Sequence, residues 1–173
     1  MPYELHPEIP PEGRAREAVM PAAYRARVET GLTRLSAQVG LELKNHDRLI
    51  NSRPALQAAE FARTVGLFGP MHHALFQAYW LEGLDVSDLD VLRSIGARVG
   101  LDVDAMEAAI RANTYGDYLD ERRAEALELM ISGIPAHVIA DRYLVMGAQP
   151  YEVFEQVMTR LGLTPRARPA EEG

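Results

Sequence analysis

The chain has 173 residues, 47% hydrophobic and 25% charged, which suits one globular domain or one domain carrying a large insertion. Its formal charge of -7 argues against nucleic acid as the main partner, since phosphate binding needs a basic face and no Lys/Arg cluster precedes the tail. Cysteine is absent, which excludes disulfides and thiolate metal sites.

The opening MPYELHPEIPPEG has neither the basic nor the apolar region of a secretory signal, and no apolar run is long enough to span a membrane, so the cytoplasm is the expected compartment. Residues 3–7 read as a short edge strand, and Pro7, Pro10, Pro11 and Gly13 delay any helix to about residue 15. Ala22, Val28, Leu32, Leu35 and Val39 then recur at helical spacing, predicting a helix over 21–39 that stops at Gly40. Arg14, Arg16, Arg25, Arg27 and Arg34 interleave with acids on separate turns, as on a solvated face. Asn51, Ser52 and Pro54 open a second helix reaching Gly66, and a third is expected over 70–82. Short helices follow, one capped by Ser87 and ending at Gly100, one capped by Asp102, before a long helix over 115–132.

The period then changes. Residues 136–140 and 143–146 are apolar, β-favouring runs separated by Asp141 and Arg142, a hairpin signal. Pro150 opens a last helix with Val153, Phe154, Val157 and Leu161 on one side. Residues 163–173 are polar and Pro-containing, and are expected to be disordered.

Candidate chemistry is sparse. His72 and His73 lie about 100° apart around a helix, so they do not face one metal together, and no metal site is expected. Glu121, Glu125 and Glu128 share a stripe near Arg122 and Arg123, most simply an ion-paired surface. Phe76, Tyr79 and Trp80 read as core, with a hydrophobic cleft as the alternative. His6 and His46 read as isolated surface residues.

Three segments together, ELHPEIPPEG near the start, ALFQAYWLEGLDVSDLDVL in the helical middle and GIPAHVIADRYLVMGAQPYEVFEQV at the end, resemble the FrnE-type branch of the DsbA-like thioredoxin family. The resemblance covers nearly the whole chain. It implies an α/β, mostly α, protein: an incomplete thioredoxin-like fold with a large helical insertion and a C-terminal β-hairpin plus helix. The expected segments are a remnant thioredoxin strand and loop over 1–14, the helical insertion over 15–132, the C-terminal ββα unit over 133–162 and the tail over 163–173. Ile134 and Pro135 would form the cis-proline loop, with Gly133 and His137 completing a substrate-binding set. Gly147, Ala148 and Gln149 match the family's own motif, and they set the chain apart from the related kappa-class transferases and chromene isomerases.

Relatives place Cys-x-x-Cys at a helix N-terminus ahead of the segment that here begins at residue 3, so the resemblance implies a truncated fold without a catalytic residue. Helix-terminus activation of a thiol has no substitute among methionines, which carry no ionisable proton. The expectation is an oxidoreductase-family protein whose partner is a protein or peptide thiol or disulfide, needing no cofactor, inactive in this form. The alternative is a non-catalytic interaction module or a homo-oligomer joined across an exposed sheet edge.

Overall fold

The structure, a computed structural model, describes residues 1–163; the expected tail from 164 onward lies outside the described residues. In chain order the elements are β1 (Arg14–Ala15), α1 (Arg16–Val19), α2 (Ala22–Gln38), β2 (Arg48–Leu49), α3 (Arg53–Thr64) and α4 (Phe68–Gln77). A π-helical turn (Ala78–Glu82) extends α4, and α5 (Leu89–Arg98), α6 (Val103–Arg111), α7 (Gly116–Glu128), β3 (Ala136–Ile139), β4 (Tyr143–Met146) and α8 (Tyr151–Arg160) complete the fold. The protein is mostly helical with two small antiparallel sheets among the described residues, consistent with the mostly α fold that the resemblance implies.

Helix limits follow local chemistry. Past α2, Gly40 takes φ +69°, a left-handed conformation that costs glycine little, and Leu41 N–H returns to the Ser36 carbonyl at 2.9 Å. Asn51 Oδ1 accepts the Arg53 N–H at the start of α3, and Asp102 Oδ1 accepts the Ala105 N–H at the start of α6. The cap of α5 is Asp88, one residue beyond the expected Ser87, because its carboxylate reaches the Asp90 N–H at 2.8 Å. The third helix begins at Phe68 and passes into the π turn at Ala78, where an α-helix over 70–82 was expected.

Residues 3–7, expected as an edge strand, join no ladder; the first strand pair is β1 with β2, Arg14 opposite Leu49. Prolines 7, 10 and 11 bring no backbone donors, and side chains hold the segment instead. Glu4 is buried at 3% exposure and Ile9 at 2%, with the Ile9 carbonyl accepting from Asn51 Nδ2 at 2.8 Å.

The chain divides into two compact units, the first spanning Met1–Ala124 and the second starting at Glu125. In the first, Ala55, Ala58, Ala59 and Ala62 form a buried stripe along α3 at helical spacing. Such a thin face lets α4, α5 and α6 approach and fill the space with Met71, Leu92, Ile95 and Met106, all fully buried. Each of these large side chains contributes on the order of 1.5–3 kcal/mol by leaving water.

Arg53 ties this unit together. Its Nη1 donates to Glu4 Oε2 at 2.7 Å and to Asp120 Oδ1 at 2.8 Å, while Nη2 donates to Asp120 Oδ2 at 3.0 Å and to the Gly116 carbonyl at 3.1 Å. Hydrogen bonding to Asp120, and then to Glu4, outweighs burial and raises the guanidinium above its ordinary value; the same bond holds the Asp120 carboxyl below its own.

In the second unit, α7 ends at Glu128, short of the expected residue 132. Met130 adopts φ +61°, and the Ile131 N–H turns back to the Ala126 carbonyl at 2.8 Å, closing the helix with a methionine where glycine is usual. The hairpin turn lies one residue ahead of the expected Asp141 and Arg142. Ala140 and Asp141 both have positive φ, and Arg142 N–H returns to the Ile139 carbonyl at 3.1 Å. This register pairs His137 with Val145 and keeps Val145 on the buried face, which a slip by one residue would expose.

Three outcomes follow. Arg53→Met leaves the Glu4 carboxylate buried without its cation and should cost about 3 kcal/mol, read as a lower urea midpoint; an unchanged midpoint would refute the central role of Arg53. Because Asp120 is depressed in the folded state, its contribution is full above the ordinary aspartate range and is lost as pH falls through the lowered value. Asp120 is largely exposed, so Asp120→Asn should remove less than about 1 kcal/mol of that acid sensitivity. Met130→Gly should stabilise the protein by about 0.5–1 kcal/mol by relieving the left-handed methionine, measurable as a higher thermal midpoint.

Candidate functional site

The Ile134-Pro135 peptide bond is cis, and the loop it forms leads directly into β3. Ile134 is 56% exposed, so an apolar side chain stands in solvent beside a residue that has no N–H of its own. The Pro135 carbonyl accepts the Gly147 N–H at 2.8 Å, which fastens the loop to the end of β4. Gly147 meets that carbonyl with φ +78°, the left-handed region in which a side chain would be strained. Gln149 Nε2 donates to the Met146 carbonyl at 2.7 Å and closes the turn that Gly147 begins. Gly147, Ala148 and Gln149 thus form the clasp that holds Pro135, and Gly133 sits close by, with Met146 Cε 3.9 Å from where its Cβ would stand.

The two faces of the β3–β4 hairpin differ. His137 and Val145 share one face, with the His137 ring edge-on against Phe154 of α8 at 5.0 Å between centroids and Val145 buried. Val138 and Leu144 share the other and are 42% and 36% exposed. His137, grouped in sequence with Ile134 and Pro135, therefore makes its ring contact on the α8 side by the alternation of a strand. Only β4 pairs with β3 among the described residues.

Elsewhere the structure separates what the sequence suggested. His72 stacks on Phe76 and meets Phe68 edge-on, forming an outer aromatic ladder along α4 with Phe76 56% exposed. Among the described residues no group of three or more His, Cys, Asp or Glu is placed to hold a metal. Glu121, Glu125 and Glu128 are exposed, and His6 bonds Glu8 through Nδ1 at 3.0 Å. Tyr79 and Trp80 part from Phe76 and line a cleft of about 350 Å³ with Arg16, Lys44, His46 and the inner side of α2. His46, which sequence left as an isolated surface residue, stacks flat on Tyr79 at 3.9 Å and 3°. No local pattern announces that contact, because its partners lie 33 residues apart. No helix among the described residues is long and apolar enough to cross a membrane.

Gly147→Val forces a β-branched residue into left-handed φ and should destabilise the clasp by about 1–3 kcal/mol. Amide exchange at position 147 and the urea midpoint report the loss; full protection in the variant would show that the clasp is unimportant.

Comparison with known proteins places this geometry. Over 164 residues the chain is 24% identical to the uncharacterized protein YwbO of Bacillus subtilis strain 168, covering 92% of this chain and 79% of that protein. Its fold is similar to the crystal structure of a probable DsbA oxidoreductase from Streptomyces coelicolor, with TM-score 0.78 at 22% identity over 98% of this chain and 77% of that one. It is also similar to 2-hydroxychromene-2-carboxylate isomerase, with TM-score 0.70 at 23% identity over 83% of this chain and 72% of that one. At these identities the likeness is one of fold. The DSBA-like thioredoxin domain family matches residues 1–159, nearly the whole described chain, and this chain belongs to that family.

Proposed function

We propose that this chain carries the substrate-docking half of a DsbA-like thiol:disulfide oxidoreductase site, of the FrnE-type branch, and performs no exchange by itself. Gly133, Ile134, Pro135 and His137 receive an extended protein or peptide segment, while the attacking thiolate that exchange requires has no source in a chain without cysteine. The observation that carries this reading is the exposed Ile134 and Pro135 at the head of β3, a strand paired on one side only among the described residues. A strand in that position can accept a further strand through main-chain hydrogen bonds, with exposed side chains supplying selectivity. The working compartment in this reading is the cytoplasm.

A second reading, a non-catalytic interaction module or oligomer, draws support from one specific feature. Val138 and Leu144 pair across the hairpin and leave apolar side chains exposed, the kind of surface that a partner covers without redox chemistry.

With dithiothreitol as reductant, insulin precipitation should proceed at the buffer rate in the presence of this chain. Acceleration would overturn the claim of inactivity. Titration with a reduced, unfolded peptide should shift the amide resonances of residues 133–138, and Ile134→Glu should weaken that binding about tenfold by placing a charge in the apolar contact. Resonance changes confined to other regions would remove the docking assignment.

A further inference from the structure

The cleft beside the π turn has the makings of a small-molecule site distinct from the Pro135 loop. Its floor is fixed: His46 lies flat on Tyr79, its Nε2 is 2.8 Å from the Tyr79 carbonyl oxygen, and Lys44 N–H donates to the Trp80 carbonyl at 2.7 Å. Trp80 stands edge-on to both rings, 6.3 Å from His46 and 4.9 Å from Tyr79. The opposite wall is α2, through Leu32, Ser36 and Ala37, and α2 buries none of its residues. The volume, about 350 Å³, lies in the range that small ligands fill.

Charge supplies the second half of the argument. Arg16 donates from Nη1 to the His46 carbonyl at 3.2 Å, yet its Nε is buried with no hydrogen-bond partner. Neither Arg16 nor Lys44 forms an ion pair among the described residues, although the chain carries a net charge of -7 and Glu29 and Glu42 line the same cleft. Two cations without an ionic partner beside a rigid aromatic floor match a planar acid: its carboxylate pairs with the positive charge of Arg16, and its ring packs on the aromatic side chains.

We infer that this cleft binds an aromatic carboxylate, its ring against His46 and Trp80 and its carboxylate on Arg16. Trp80 is the only tryptophan of the chain, so its fluorescence reads occupancy directly. Benzoate should quench Trp80 saturably, and benzamide, of the same shape without the charge, should bind at least about tenfold more weakly. Arg16→Gln should lose benzoate binding to a similar degree. Should Arg16→Gln disturb the fold, as judged by circular dichroism, Ser36→Leu narrows the cleft from α2 without touching the bonds of Arg16, and should also abolish quenching. Linear quenching without saturation, equal binding of benzamide, or undiminished binding to a folded Arg16→Gln or Ser36→Leu variant would overturn the assignment. Displacement of benzoate by equimolar inorganic phosphate would overturn the aromatic part and leave only an anion site.

Discussion

A buried carboxylate demands a cation: Glu60 finds one in Arg63 on its own helix, and Glu4 finds one at Arg53, which joins distant parts of the chain. Glu4 lies in a segment with no ladder to hold it, Arg53 opens α3, and Asp120 stands near the start of α7; the guanidinium brings all three to one point. The neighbouring contacts reinforce the same junction. Asn51 bonds the Ile9 carbonyl while capping α3, Arg48 bonds the Glu12 and Gly13 carbonyls, and Arg123 reaches the Glu4 carbonyl. An N-terminal stretch rich in proline is thereby positioned by side-chain donors from residues 48–53, where a strand would use its own backbone.

Reactivity and positioning place different demands on a chain. Exchange chemistry depends on one thiolate and the helix terminus that lowers its pKa, whereas docking depends on an exposed loop and a strand edge. The Pro135 loop is held locally, because its carbonyl is bound by Gly147 and the turn that follows is closed by Gln149, all within a short stretch of chain. Family membership thus predicts the shape around Pro135 without predicting turnover.

Local signals in the sequence were legible and long-range ones were not. Gly40, Asn51, Asp102 and the change of period at residue 133 located helix ends and the hairpin to within a residue or two, since each acts through the backbone beside it. The strand expected over 3–7 failed because this extended piece is held by a side-chain anchor from residue 53, a separation no local pattern encodes. The hairpin turn moved by one residue because burial of Val145 decided the register over turn preference, drawing Ala140 into a conformation alanine rarely takes. At the Pro135 loop, Gly133, Ile134, Pro135 and the 147–149 motif were visible in the sequence, while the ring contact of His137 with Phe154 required the hairpin to fold against α8. The cleft residues were invisible for the same reason: Arg16, His46 and Tyr79 converge only in three dimensions.

The bare packing of α2 has a thermodynamic consequence. A helix of 17 residues with none buried is held chiefly by its own backbone bonds, so its opening free energy lies near the bottom of the range found within a folded protein. The aromatic floor of the cleft, by contrast, is anchored to the core-facing helix that carries Ala78, which is fully buried. One wall of the cleft therefore opens at a lower free-energy cost than the other, and it does so without disturbing the alanine-striped core.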